Sequence, residues 1–180
     1  MPKQYKTLLI DPPWPESGGG RIKRGADRHY PLLPVKEIKP VILASGVFTP
    51  AEDSHLYLWA TNNYLDDAIR LVDDLGFRYV TCITWAKGRF GPGQYFRGQT
   101  EQLLFGVRGA GLELRRNWTE KKNLSTLISA THQYDERGKR IHSAKPVEAY
   151  RLIEAASPTP RVEMFARRRR KGWTPWGNEL

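Results

Sequence analysis

Residues 6–14 read Lys-Thr-Leu-Leu-Ile-Asp-Pro-Pro-Trp (KTLLIDPPW), and the change of character inside this stretch decides the fold. After Lys6, residues 7–10 are apolar or β-branched and predict a strand over 6–10; the nearly unbroken apolar run fits a strand covered on both faces. Asp11-Pro12-Pro13-Trp14 ends it, because two prolines in a row fix φ and supply no N–H to a ladder. Four further strands are predicted at 56–60, 79–85, 102–107 and 162–166. Between the second and third, residues 64–75 predict a helix burying Leu65, Ala68, Ile69, Val72 and Leu75, with Asp66, Asp67, Asp73 and Asp74 in water and Gly76 as its stop. A second helix starts at Pro146 and buries Ala149, Tyr150, Ile153 and Ala156 before Ser157-Pro158; a weaker third covers 35–43 and is interrupted by Pro40. Strands alternating with helices predict a three-layer α/β fold with a mostly parallel sheet. No repeat or compositional break divides the chain, so residues 1–180 read as a single domain.

Composition narrows the function. The 180 residues carry 29 Lys plus Arg against 19 Asp plus Glu, a formal charge of +10, and 39% hydrophobic residues. Such a chain can build a core and is neither disordered nor fibrous. Its positive charge points to an anionic partner, most often nucleic acid, although an anionic membrane surface also fits the charge alone. No apolar run reaches the roughly 18 residues of a membrane span. Cys82 stands alone, which excludes an internal disulfide and fits a reducing, cytoplasmic setting. The four histidines and one cysteine have no metal-ligand spacing, and neither GxGxxG nor a P-loop occurs, which removes nicotinamide and nucleoside-triphosphate readings. Two basic stretches, 17–28 and 114–144, read as loops, and loops beyond strand ends commonly close over ligands.

The Asp-Pro-Pro-Trp tetrapeptide carries the sharpest chemistry. Its chance occurrence in a chain of this length is on the order of one in several thousand. Proline carbonyls are pure acceptors held in a rigid array, Asp11 adds another, and Trp14 offers a flat apolar face. Two acceptors and a stacking plate suit an exocyclic amino group on a planar base. That nitrogen is a poor nucleophile while its lone pair is delocalised into the ring. Acceptors out of the ring plane would pull it towards tetrahedral geometry and disperse the positive charge that develops on attack. Asp11, or a water it orders, could then take the proton. The alternative is an ordinary Pro-Pro turn with Trp14 packed on the core.

Asp-Pro-Pro-Trp at a strand end, the later Trp85-Ala86-Lys87, the stretch GQYFRGQTEQLLFG at 93–106, and HSAKPVEAYRLIEAASPTPRVEMFARRRRKGWTPWGNEL at 142–180 together resemble the adenine-N6 methyltransferases of the DPPW type. That family includes the catalytic subunit of the eukaryotic messenger-RNA methyltransferase and bacterial and phage DNA methyltransferases. The resemblance runs from Tyr5 to the end. It implies a Rossmann-like, S-adenosylmethionine-dependent methyltransferase fold with a circularly permuted motif order, the amino-group motif first and the cofactor strand last. It implies that Asp11, Pro12, Pro13 and Trp14 hold the target amino group, with Asp11 also near the methionine end of the cofactor. Lys145 would pair with the cofactor carboxylate, Arg167, Arg169 and Arg170 would lie near its ribose and purine, and Asn178 and Glu179 would bond the ribose hydroxyls. With ten residues before Asp11, the adenine ring would be left to Ile10, the C-terminal residues or no specific contact. Glu101 matches a family acid, with Arg97 across from it, in base positioning or simple support.

Nucleic-acid contacts are expected from Arg21, Lys23, Arg24, His29 and Tyr30 in the first loop, from Lys87, Arg97 and Glu101, and from Arg115, Arg116, Lys121 and Lys122 around Trp118, where base stacking is plausible. Trp59, Trp85, Trp173 and Trp176 read as core or loop packing, and His55 and His132 as structural. The expected activity is methyl transfer from S-adenosylmethionine to adenine N6, releasing S-adenosylhomocysteine, with no metal. DNA is preferred over RNA by the chain's compactness, with a short or relaxed sequence context, acting as a monomer or homodimer. The rivals are an RNA adenine methyltransferase and a non-catalytic partner subunit that binds nucleic acid.

Overall fold

A computed structural model describes residues 3–15, 32–91, 95–110, 123–139, 141, 144–178 and 180. The strands are β1 Tyr5–Ile10, β2 Pro50–Ala60, β3 Arg78–Ala86, β4 Thr100–Arg108, β5 Leu127–Ser129, β6 Arg161–Met164 and β7 Trp173–Trp176. The helices are α1 Val35–Ala44, α2 Leu65–Asp74 and α3 Val147–Ala156. One seven-stranded sheet takes the order β5-β3-β4-β2-β1-β6-β7. Neighbours are parallel except where β4 meets β2 and β3, so the sheet is mostly parallel. Side chains alternate across it. Leu8, Ile10, Leu56 and Leu58 meet α1 and α2 through Ile38, Ile42, Ala68 and Val72. Leu9, Tyr57, Trp59 and Leu103 meet α3 through Ala149, Tyr150 and Ile153 on the other face. This is a three-layer, Rossmann-like arrangement.

The departures from the sequence expectation each have a local cause. Strand β2 starts at Pro50, well before residue 56, because its polar half is paired rather than wet: Ser54 Oγ donates to the Ala51 carbonyl and His55 meets Ser157. Strands β5 and β7 were not expected; β5 lies inside the stretch read as a loop, and Pro175 sits inside β7. Proline is tolerated there because β7 is a sheet edge. Strand β6 stops at Met164 rather than 166, since Phe165 takes φ +60° and turns the chain. Helix α1 runs through Pro40, which faces solvent while Ile38 and Ile42 are buried. On α2 the buried stripe is Ala68, Leu71 and Val72, and Ile69 is 38% exposed. Gly76, at φ +80°, ends it in the left-handed conformation that glycine takes without steric cost.

The chain leaves β1 for β2 on one side, and β6 inserts on the other. In open α/β sheets the crevice beyond the carboxyl ends of such neighbours is where ligands bind. Asp11 begins directly at that crevice, its N–H donating to the Met164 carbonyl of β6 (3.3 Å).

Candidate active site

Strand alternation brings the charges together. Leu9, Trp85 and Leu103 point to the α3 side, so two residues along each strand Asp11, Lys87 and Glu101 emerge on the same side. Strand β4 runs opposite to its neighbours, which places its amino end, and hence Glu101, beside the carboxyl ends of β2 and β3. Lys145, immediately ahead of the α3 cap residue Pro146, enters between them. Lys145 Nζ is 2.8 Å from Asp11 Oδ1 and 3.3 Å from Glu101 Oε2, and Lys87 Nζ is 2.7 Å from Glu101 Oε1. Two acids and two ammonium groups therefore alternate in one chain: Asp11, Lys145, Glu101, Lys87.

The floor beneath this chain is aromatic. Lys145 Nζ lies 5.2 Å from the Trp59 ring centre and Lys87 Nζ 5.2 Å from that of Trp85, and the two indoles meet edge to face. Burying ions costs desolvation energy that pairing only partly offsets, so such a cluster is weak as a stabilising device. Burial alone would raise the Glu101 pKa, but Lys145 and Lys87 overcome that and hold it at about 2. Burial would likewise lower Lys145, yet Asp11 and Glu101 drive it above the ordinary lysine range. Both stay charged at neutral pH. Glu101 is thus too weak a base to accept a proton there, but its Oε2, 3.3 Å from Lys145 Nζ without an aligned hydrogen bond, remains an acceptor.

The turn after β1 is more firmly tied than its sequence implies. The Pro12 carbonyl accepts from Trp14 N–H (2.8 Å) and the Pro13 carbonyl from Leu33 N–H (3.0 Å). Each carbonyl keeps a second lone pair, so the array is anchored and still able to accept. Trp14 departs from the expectation of an open stacking plate. It is 6% exposed, its ring stacks on Tyr64 (5.8 Å, 11°), and Nε1 donates to the Trp59 carbonyl at 2.7 Å. The packing alternative holds for this residue, and Trp14 locks the turn to β2. Ile10 is fully buried among the α1–α2 core, leaving only its backbone for a ligand.

Arg97 does not sit across from Glu101: its Nε donates to the Gly91 carbonyl (2.6 Å), and Lys87, expected on nucleic acid, takes the place beside Glu101. Arg167 is half-buried and near enough to Lys145 to oppose its charge, Arg169 is exposed, and the Arg170 guanidinium lies 3.6 Å from the Tyr150 ring centre. Asn178 is exposed just past β7. Arg21, Lys23, Arg24, His29, Tyr30, Arg115, Arg116, Lys121, Lys122, Trp118 and Glu179 lie outside the described residues.

Three supporting groups escaped the sequence reading. Glu163 is buried on β6 and accepts from Tyr150 Oη (2.6 Å), beneath Arg170. Its signal was a lone acid in an apolar strand. Gln133 donates to the Lys145 carbonyl and accepts from Arg168, bracing the loop that carries Lys145. Trp59 forms the floor, and nothing in its sequence position distinguishes it from other core aromatics.

A three-layer sheet whose switch-point crevice is lined by an anchored Asp-Pro-Pro-Trp turn and a buried charge chain defines a methyltransferase of the Rossmann-like class. The MT-A70 family profile matches residues 5–179, and the chain belongs to that family. It is also 28% identical over 197 residues to the Type II methyltransferase M.MunI of Mycoplasma sp, a match spanning 99% of this chain and 78% of that protein.

Proposed function

We propose that this protein transfers the methyl group of S-adenosylmethionine to adenine N6 in DNA, within a short or relaxed sequence context. The observation that carries the reading is the Asp11–Lys145–Glu101–Lys87 chain, set against the Pro12 and Pro13 carbonyls at the sheet's switch point. Adjacent opposite charges at Asp11 and Lys145 fit the zwitterionic methionine end of the cofactor, Lys145 for its carboxylate and Asp11 for its ammonium. Asn178, and Glu179 beyond the described residues, suit the ribose. The cofactor, when bound, supplies an electrophilic methyl group.

Everything else falls to the chain. The remaining lone pairs of Pro12 and Pro13, and those of Glu101 Oε2 beside Lys145, are acceptors for amino N–H groups. Held in a site of low dielectric, they localise the nitrogen lone pair and stabilise the charge that develops on it. Because Glu101 is a poor base, the proton goes to Asp11 or a water that Asp11 orders. The +10 charge suits a polyanion, and the DNA preference draws on the likeness along the chain to a Type II methyltransferase. The target base would be flipped from a duplex or taken from a single strand.

The test is incubation with labelled S-adenosylmethionine and single- and double-stranded DNA and RNA, beside an Asp11→Ala variant, with mass spectrometry of the digested nucleosides. N6-methyladenine from DNA, absent with the variant, is the expected result. Product from RNA alone would overturn the substrate, and no product together with no cofactor binding would leave a non-catalytic partner subunit.

A further inference from the structure

Beyond the charge chain, the connection between β3 and β4 has features that methyl transfer does not use. Phe90, Tyr95 and Phe96 are 72%, 95% and 91% exposed, while Arg89 and Arg97 sit among them. Exposed apolar groups gathered in one place and rimmed by charge mark a partner surface. The base of this connection is pinched. Gly91 N–H donates to the Gly98 carbonyl (2.6 Å), and a Cβ on Gly91 would come within 2.8 Å of that oxygen.

Between this base and the segment after β5 lies a cleft of about 250 Å³, walled by Phe90 and Arg89 on one side and by His132 and Tyr134 on the other, with Lys87 and Thr100 at its inner end. Its far wall is fixed: His132 meets the Trp85 ring edge to face at 5.5 Å, and Trp85 Nε1 donates to the Ala130 carbonyl. The cleft is smaller than the roughly 300–1,000 Å³ of sites for drug-sized ligands, which suits a single ring system. Among the described residues that line it, none is acidic. It adjoins the site directly, because Lys87 lines it and also bonds Glu101, and Thr100 precedes Glu101 in β4.

We propose that this cleft takes the base next to the target adenine in an unpaired strand, stacked on Phe90 with its phosphate beside Arg89, and that Tyr95 and Phe96 stack the bases beyond. Aromatic faces interleaved with cations bind single strands with little sequence preference, because every base has a π-face. The protein would then engage nucleic acid as a locally opened strand. This rests on the reading above that the target base enters beside Asp11.

Binding and catalysis separate the two ideas. Affinity is measured by fluorescence anisotropy for a single-stranded DNA of about a dozen nucleotides with one adenine, and for the same strand lacking the base beside that adenine. Phe90→Ala and the double variant Tyr95→Ala/Phe96→Ala should each weaken binding roughly tenfold and raise KM. The missing base should weaken the unaltered protein by a similar factor and leave Phe90→Ala unaffected, while Phe90→Tyr retains affinity. Affinity unchanged in both variants, with methylation intact, would overturn the cleft and leave the proposed function standing. Variants that alter only sedimentation would overturn it in favour of a contact between protein chains. A base-dependent loss at Phe90→Ala without methylation of any polymer would support the cleft and remove the proposed function.

Discussion

The two ends of the sheet each hold a buried polar network, and they are built on opposite principles. At the amino end, Ser157 Oγ lies 2.7 Å from His55 Nδ1 and 2.8 Å from Tyr57 Oη, and the Arg161 guanidinium donates to the Ser157 carbonyl. Ser157 and His55 are each 4% exposed, and burial lowers the imidazole pKa to about 4, so His55 is neutral near pH 7. Serine and histidine in contact resemble the parts of a nucleophilic dyad, but this pair is enclosed and the Ser157 hydroxyl is shared between His55 and Tyr57. At the carboxyl end the side chains are two carboxylates and two ammonium groups, paired at 2.7 to 3.3 Å. Uncharged side chains bonded to one another secure a fold; paired charges gathered at a switch-point crevice are held ready for something that is not protein.

Substitutions at the two ends should part along these lines. The largest effect belongs to Lys145→Met, which removes the cation between Asp11 and Glu101, leaves Asp11 without its 2.8 Å ion pair and leaves Glu101 with Lys87 alone. Loss of about 3–5 kcal/mol in urea unfolding is expected, with methyl transfer abolished. The double variant Lys145→Met/Asp11→Asn should recover part of the stability and none of the activity; recovery of activity would erase the distinction between the two ends.

Glu101→Gln comes next. It should lower turnover by about 10²–10³-fold in the labelled-methyl assay, as loss of one aligned charge-stabilising group does. It also carries a pH signature. The folded-state pKa lies below the unfolded value of about 4.3, so the stability Glu101 contributes is complete above that value and lost as pH falls towards about 2. Across that window the variant should lose less stability than the unaltered protein, by on the order of 3 kcal/mol.

The smallest effect is expected at the amino end. Ser157→Ala should cost about 1–3 kcal/mol, read as a lower Tm, with turnover at the level of the unaltered protein. The acid window there is displaced. Because His55 is depressed from about 6.5 to about 4, its contribution is complete above the unfolded value and lost as pH falls between those limits. A His55→Gln variant titrated by thermal unfolding should flatten that higher window only. If the two windows coincide, the networks are not independent.

Much of this was legible in the sequence because the signals are local. The strand ending in Asp11-Pro12-Pro13-Trp14, the helix stop at Gly76 and the buried face of α3 each depend on a few neighbouring residues. What escaped depended on partners far along the chain. Trp14 looked like an exposed plate and is a core residue, because its indole finds Trp59 and Tyr64. Lys87, expected on nucleic acid, also forms an ion pair with Glu101, because β4 returns antiparallel. Strand β7 was hidden by Pro175, whose missing N–H matters little at an edge.

By itself, then, the sequence determined the layered α/β class, the turn at Asp11 and the chemistry available there, since periodicity, φ restriction and the identity of side-chain atoms are properties of short stretches. Only the tertiary structure decided which charges meet. Asp11, Lys87, Glu101 and Lys145 lie far apart in the chain, and their alternation in space follows from the reversed direction of β4 and the entry of α3. Those depend on strand order and helix packing, which no local pattern encodes.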